Sequence, residues 1–147
     1  KNCENLIICK SIKEMAILNK YLPYCNICVQ AENMQSISQE DIDLINSKAK
    51  NIYVSFDSDD SGVKSCKEIT AKTGWNYINP PRKYLPLKDW ADIVKDYEIE
   101  PVKEYITKKI KWWKEDNKNC KNQIIITKFK IKRKIGIKKV AWSSLKS

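Results

Sequence analysis

The stretch IYVSFDSDDSGVKSC, Ile52 to Cys66, decides how the chain is read. Ile52 to Phe56 is an apolar run of strand length. From Ser61 onward the residues suit a helix that runs to Lys72, and Gly74 stands where helices commonly end. Between strand and helix sit Asp57, Asp59 and Asp60. A strand that turns directly into a helix is the repeating unit of parallel α/β sheets. In such folds ligands gather at the carboxyl ends of the strands, where these acids lie. Two readings of the acids stay open. Asp59, Asp60 or Ser61 caps the helix, helped by the helix dipole. Alternatively the acids share a divalent ion, for which hard carboxylate oxygens suit Mg²⁺. One cap needs one acid, and three crowded acids repel each other unless something positive joins them.

The same alternation extends in both directions. Asn5 to Cys9 is a short apolar run that predicts a buried strand. Ser11-Ile12-Lys13-Glu14 has the capping-box pattern and opens a helix to Tyr21, closed by Pro23. Ile27 to Val29 is a second strand, and Ser38-Gln39-Glu40-Asp41 starts another helix. Trp75 to Ile78 is a fourth strand, ended by Pro80-Pro81. Asp89 to Tyr97 predicts a short helix, and Pro101 opens one with Val102, Tyr105, Ile106, Ile110 and Trp113 at helical spacing. Thr127 to Arg133 alternates apolar and basic residues, which predicts one strand or a hairpin with lysines on one face. The expected fold is α/β, a mostly parallel four-stranded sheet with helices on both faces. Residues 1–100 form its core, and 101–147 a basic C-terminal helix and strand extension.

The chain of 147 residues is long enough for one domain with a real core. No apolar run reaches about 18 residues, so no membrane partner is expected. The start at Lys1 lacks the layout of a signal peptide, which predicts a cytoplasmic protein, or one encoded by a virus or phage and acting in its host's cytoplasm. Its lack of a methionine reads as a piece of a longer chain. Charge is uneven: residues 1–100 carry 13 Lys/Arg and 15 Asp/Glu, whereas 101–147 carry 15 and 3. A basic segment beside an acid-clustered domain suits a polyanion held next to a metal site. The plain alternative is a solvated lysine surface. Cys25 and Cys28 make one CxxC with no second pair and no histidine in the chain, so small buried thiols are expected rather than zinc.

A family resemblance enters on particular residues. FDSDDSG, Phe56 to Gly62, resembles the motif of Toprim domains in which a DxD pair is followed by a glycine, above all those of DnaG-type and phage primases. LKDWADIV, Leu87 to Val94, is similar to the KDxxD element that follows the fourth strand in primases. The resemblance covers about residues 5–113 and leaves out the basic tail. It implies a Rossmann-like Toprim fold that binds Mg²⁺, with Mn²⁺ as a substitute, and acts on phosphodiester bonds. Asp57 and Asp59 match the metal-binding pair, and Asp60 falls at a variable position. Asp89 and Asp92 match the later acidic element near the metals; their alternative is a helix start. Glu14 fills the second acidic place of the first motif and is also the capping-box partner of Ser11.

The chain departs from the family at Lys10, where a glutamate ends the first strand. A protonated lysine cannot bind Mg²⁺. Lys10 pairs with Asp57 or Asp59, or contacts a phosphate, or marks an inactive fold. The site changes by two charge units, which disfavours two-metal chemistry. The candidate catalytic set is therefore Lys10, Glu14, Asp57 and Asp59, and the candidate metal set Glu14, Asp57, Asp59, Asp89 and Asp92. Lys108, Lys109, Lys111, Lys128, Lys130, Lys132, Arg133 and Lys134 are the expected contacts to single-stranded DNA or RNA. Trp112 and Trp113 stack on bases or pack in the core. The leading function is the Toprim domain of a DNA primase or primase-helicase-like replication protein, performing Mg²⁺-dependent nucleotidyl transfer on a template, with other replication domains or a helicase as partners. A degenerate binding or structural module and a stand-alone Toprim nuclease are the alternatives.

Overall fold

The structure, a computed structural model, describes residues 3–22, 26–30 and 36–135, with backbone alone for 26–30, 122 and 124–135. Its elements alternate: β1 (Cys3–Cys9), α1 (Ile12–Tyr21), β2 (Asn26–Gln30), α2 (Gln39–Lys48), β3 (Ala49–Ser55), α3 (Asp60–Thr73), β4 (Asn76–Tyr77), α4 (Trp90–Tyr97) and α5 (Glu100–Ile135). The molecule is thus α/β, as its alternating pattern predicts. All pairings are parallel and the strand order is β2-β1-β3-β4. β4 adds only two residues, so the first three strands carry most of the sheet.

Burial explains why the strands read as continuous apolar runs. Leu6 pairs with Ile52 and Ile8 with Val54, and these four face α2 and α3 through Ile42, Cys66 and Ile69. The alternate residues Ile7, Cys9, Tyr53 and Ser55 point to the opposite face and are equally buried. There Trp90 of α4 donates its indole N–H to Ser55 Oγ at 2.7 Å. A strand buried on both faces has no polar side to show.

The helices begin where the sequence places their caps. Ser11 accepts from the Glu14 N–H, Ser38 from Asp41, Asp59 from Gly62 and Asp89 from Asp92. Gly74 ends α3 in the left-handed conformation, φ 75°, which glycine adopts without a Cβ clash.

Two compact units divide the chain, Lys1–Lys109 and Ile110–Ser147. In the first, Val102 and Ile106 on the opening turns of α5 are buried. The strand or hairpin expected from Thr127 to Arg133 is corrected: α5 continues to Ile135. No glycine or proline interrupts positions 102–135. Ile125 and Phe129 are also spaced one helical turn apart, so the alternation does not exclude a helix. A helix satisfies its own backbone, whereas a lone ribbon needs a partner strand. Residues 136–147 lie outside the described residues.

Cys25 also lies outside them, as does the Cys28 side chain. Cys9 and Cys66 are buried, Cys3 is half-buried and Cys120 exposed. Burial pushes the Cys66 thiol up to about 11, which keeps it protonated and inert.

Candidate functional site

The order β2-β1-β3-β4 creates a switch point. From β1 the chain crosses to β2 on one side, then returns past β1 to β3 on the other. The crevice outside the carboxyl ends of β1 and β3 is where such sheets take ligands. Lys10 and Ser11 follow β1 there, and Phe56 to Asp59 follow β3.

The loop after β3 is held closely. The Phe56 N–H donates to Asn79 Oδ1 at 3.0 Å. Asp59 Oδ1 accepts from the Gly62 N–H at 2.8 Å and so caps α3. A Cβ on Gly62 would stand 2.1 Å from the Asp57 carbonyl oxygen, so only glycine lets α3 start this close to the strand. Ser58 is 1 % exposed, and among the described residues its hydroxyl is buried with no hydrogen-bond partner.

Lys88 is a positive partner shared by Asp57 and Asp59. Its Nζ lies 3.4 Å from Asp57 Oδ2 and 3.2 Å from Asp59 Oδ2. The Gly62 N–H and the Lys88 ammonium hold the Asp59 carboxyl below its ordinary range, and the Lys10 charge adds to this. The paired carboxylates raise Lys88 in turn. The Lys88 segment is fixed by its backbone: its carbonyl accepts from the Ser58 N–H at 2.8 Å, and two residues on the Trp90 N–H donates to Glu14. Lys10 places its ammonium 5.6 Å from the centre of the Phe56 ring, a cation–π arrangement, with its charge felt at Asp59.

Glu14 is inside the protein, 2 % exposed. One carboxylate oxygen accepts from Ser11 Oγ at 3.1 Å and the other from the Trp90 N–H at 3.2 Å. Burial pushes its carboxyl up to about 7 against the lowering effect of that N–H, and the charges of Asp89 and Asp57 push the same way as burial. Glu14 is therefore a clasp between α1 and α4 at the edge of the acidic cluster.

The remaining expected residues divide. Asp60 points to Arg82, 2.9 Å away, both exposed, and so turns from the pair. Asp89 caps α4, and the exposed Asp92 supplies the N–H that it accepts. Among the described residues no three acids or thiols are gathered as a set that could hold a metal ion. Lys108 pairs with Glu104 at 2.6 Å, Lys109 lies 5.7 Å from the Tyr105 ring centre, and Lys111 is exposed. Trp112 is half-exposed, and its ring meets Trp113 edge-on at 4.6 Å. The side chains of Lys128, Lys130, Lys132, Arg133 and Lys134 lie outside those described. A cavity of about 220 Å³ is lined by Tyr84, Trp90 and Tyr105 together with Lys83 and Lys108.

No protein-family model, curated protein or solved structure matches the chain. The site's chemistry therefore rests on its own residues. The sequence pattern did not mark Lys88 as a site residue, although it is the lysine of the KDxxD-like element within Leu87 to Val94. No helix among the described residues is long and apolar enough to cross a membrane.

Proposed function

We propose that this chain is a Rossmann-like, Toprim-type domain acting in Mg²⁺-dependent nucleotidyl transfer on a nucleic-acid template, as in a DNA primase or primase-helicase. The observation that carries it is the Asp57–Asp59 pair sharing one cation at the switch point of the sheet. That cation is the Lys88 ammonium, 3.4 and 3.2 Å from the two carboxylates. Two hard carboxylates suit one hydrated Mg²⁺, with Mn²⁺ as a substitute, and the buried Ser58 hydroxyl of the same loop has no hydrogen-bond partner among the described residues. When bound by Asp57 and Asp59, such an ion would neutralise charge on a triphosphate and orient the attacking hydroxyl.

The chain's own residues do the rest. Lys10 supplies positive charge for non-bridging phosphate oxygens at the end of β1. Glu14 is a positioning residue: it fixes the start of α4 and with it Lys88 and Asp89. Asp89 lies near enough to raise the Glu14 carboxyl and adds negative field to the site. The rings of Tyr84 and Tyr105 beside Lys83 and Lys108 are the mixture that stacks bases and holds phosphates of a single strand.

One observation favours a second reading. Lys88 and Lys10 already offset the aspartates, which suits a nucleic-acid-binding module that has lost its metal. Calorimetry with Mg²⁺ and Mn²⁺ decides between the two. Binding that vanishes in Asp57→Ala/Asp59→Ala supports the metal site; no heat at millimolar metal leaves the binding module. Primer synthesis from nucleoside triphosphates on a single-stranded template then tests the transfer itself, and cleavage without triphosphates points to a nuclease.

A further inference from the structure

We infer that Lys88 is a built-in competitor for the cation position between Asp57 and Asp59, so that a divalent ion must displace its ammonium to bind. This rests on the metal reading proposed above. The lysine is not a casual surface contact. Its carbonyl is held by the Ser58 N–H from inside the aspartate loop. The next two residues are pinned as well, Asp89 as the cap of α4 and Trp90 by the Glu14 carboxylate. The backbone therefore delivers this one side chain to both acids. The side chain itself remains 48 % exposed, so the ammonium can swing into solvent without opening the core. The Ser58 hydroxyl, between the two acids in sequence, is buried and among the described residues has no hydrogen-bond partner, which leaves a polar atom of this loop unsatisfied.

The electrostatics set the direction. A unit charge a few ångströms from both ligand carboxylates lowers their attraction for a divalent ion, even at the high effective dielectric of a half-exposed site. Removing that charge is expected to tighten Mg²⁺ binding by roughly tenfold or more. Arg82 gives an internal control. It is also cationic and nearby in sequence, but it pairs with Asp60 and touches neither Asp57 nor Asp59.

The test is calorimetric titration of Mg²⁺ into the full chain and into Lys88→Gln, Lys88→Arg and Arg82→Gln, each first confirmed as folded by its thermal transition. Tighter binding in Lys88→Gln, restored to the weak parental value in Lys88→Arg and unchanged in Arg82→Gln, supports the inference. It is overturned if Lys88→Gln binds no more tightly than the parent, or if Arg82→Gln tightens binding as much. If parent and Lys88→Gln bind equally, only the role of Lys88 falls and the metal site stands. If none of the four proteins binds Mg²⁺ or Mn²⁺, the metal reading falls with it.

Discussion

The Glu14 carboxylate and the Trp90 backbone N–H meet at 3.2 Å, across 76 positions of sequence, and tie α1 to α4 beside the acidic loop. The contact is buried, and burial is the largest cause that lifts the Glu14 carboxyl from 4.5 to about 7. Between those two values the folded protein binds more protons than the unfolded chain. The contribution of Glu14 to stability is then full below pH 4.5 and is lost as the pH rises through about 7. The loss amounts to at most about 3 kcal/mol. Glu14→Gln keeps an oxygen for the Trp90 N–H and removes the titration. Urea midpoints measured across this range should slope downward with pH in the parent and less steeply in Glu14→Gln. Equal slopes would show that Glu14 titrates as an ordinary surface acid.

What the sequence disclosed follows from the range of each interaction. Ser11, Ser38 and Asp89 were legible as caps because a cap bonds a backbone N–H three residues away. Asp59 was one of three candidates for its helix, and only the bond to Gly62 singles it out. The partners of the acids were not legible. Lys88 reaches Asp59 across 29 positions and Glu14 reaches Trp90 across 76, distances set by how β1 and β3 lie together. Lys10 drew attention as the residue out of pattern, yet Lys88 bridges the aspartates. The alternation from Thr127 to Arg133 misled because Phe129 and Ile131 also continue the helical spacing that Ile125 to Phe129 and Ile124 to Ile131 set.

Asp57 and Asp59 should separate in their effect on stability. Asp59 caps α3, and losing a cap of this kind costs about 1 kcal/mol. Asp57 makes the Lys88 ion pair, half-exposed on the lysine side, which is worth little. Asp59→Ala should lower the denaturation midpoint clearly, and Asp57→Ala hardly at all, while either one should abolish the Mg²⁺ binding proposed above. A destabilised Asp57→Ala would assign that residue a structural task that the geometry does not show.

Gly62→Ala should be among the most damaging small changes in the chain. The added methyl would sit 2.1 Å from the Asp57 carbonyl oxygen and 2.7 Å from its carbon, both backbone atoms. Neither can move without shifting the end of β3 or the start of α3. A loss of roughly 3 kcal/mol or more is expected, at or beyond the upper range for overpacking. Denaturant titration of the purified variant checks it. A variant as stable as the parent would mean that the loop has room to relax.

Lys10→Glu tests how the departure at the end of β1 shapes the site. The Lys10 charge helps to hold the Asp59 carboxyl low, and its ammonium sits over the Phe56 ring. A glutamate there removes that support and adds a third carboxylate at the switch point. Asp59 should then ionise at a higher pH, visible as a shifted carboxyl resonance in an NMR titration. Mg²⁺ affinity should rise, because a divalent ion gains a ligand and loses a repelling charge. Oligonucleotide affinity without metal should fall and depend less on salt, since one cation no longer faces the phosphates. If metal affinity rises while phosphate affinity is untouched, Lys10 acts on the aspartates alone. If both stay at the parental values, position 10 lies outside the working site and the crevice is defined by Lys88, Asp57 and Asp59.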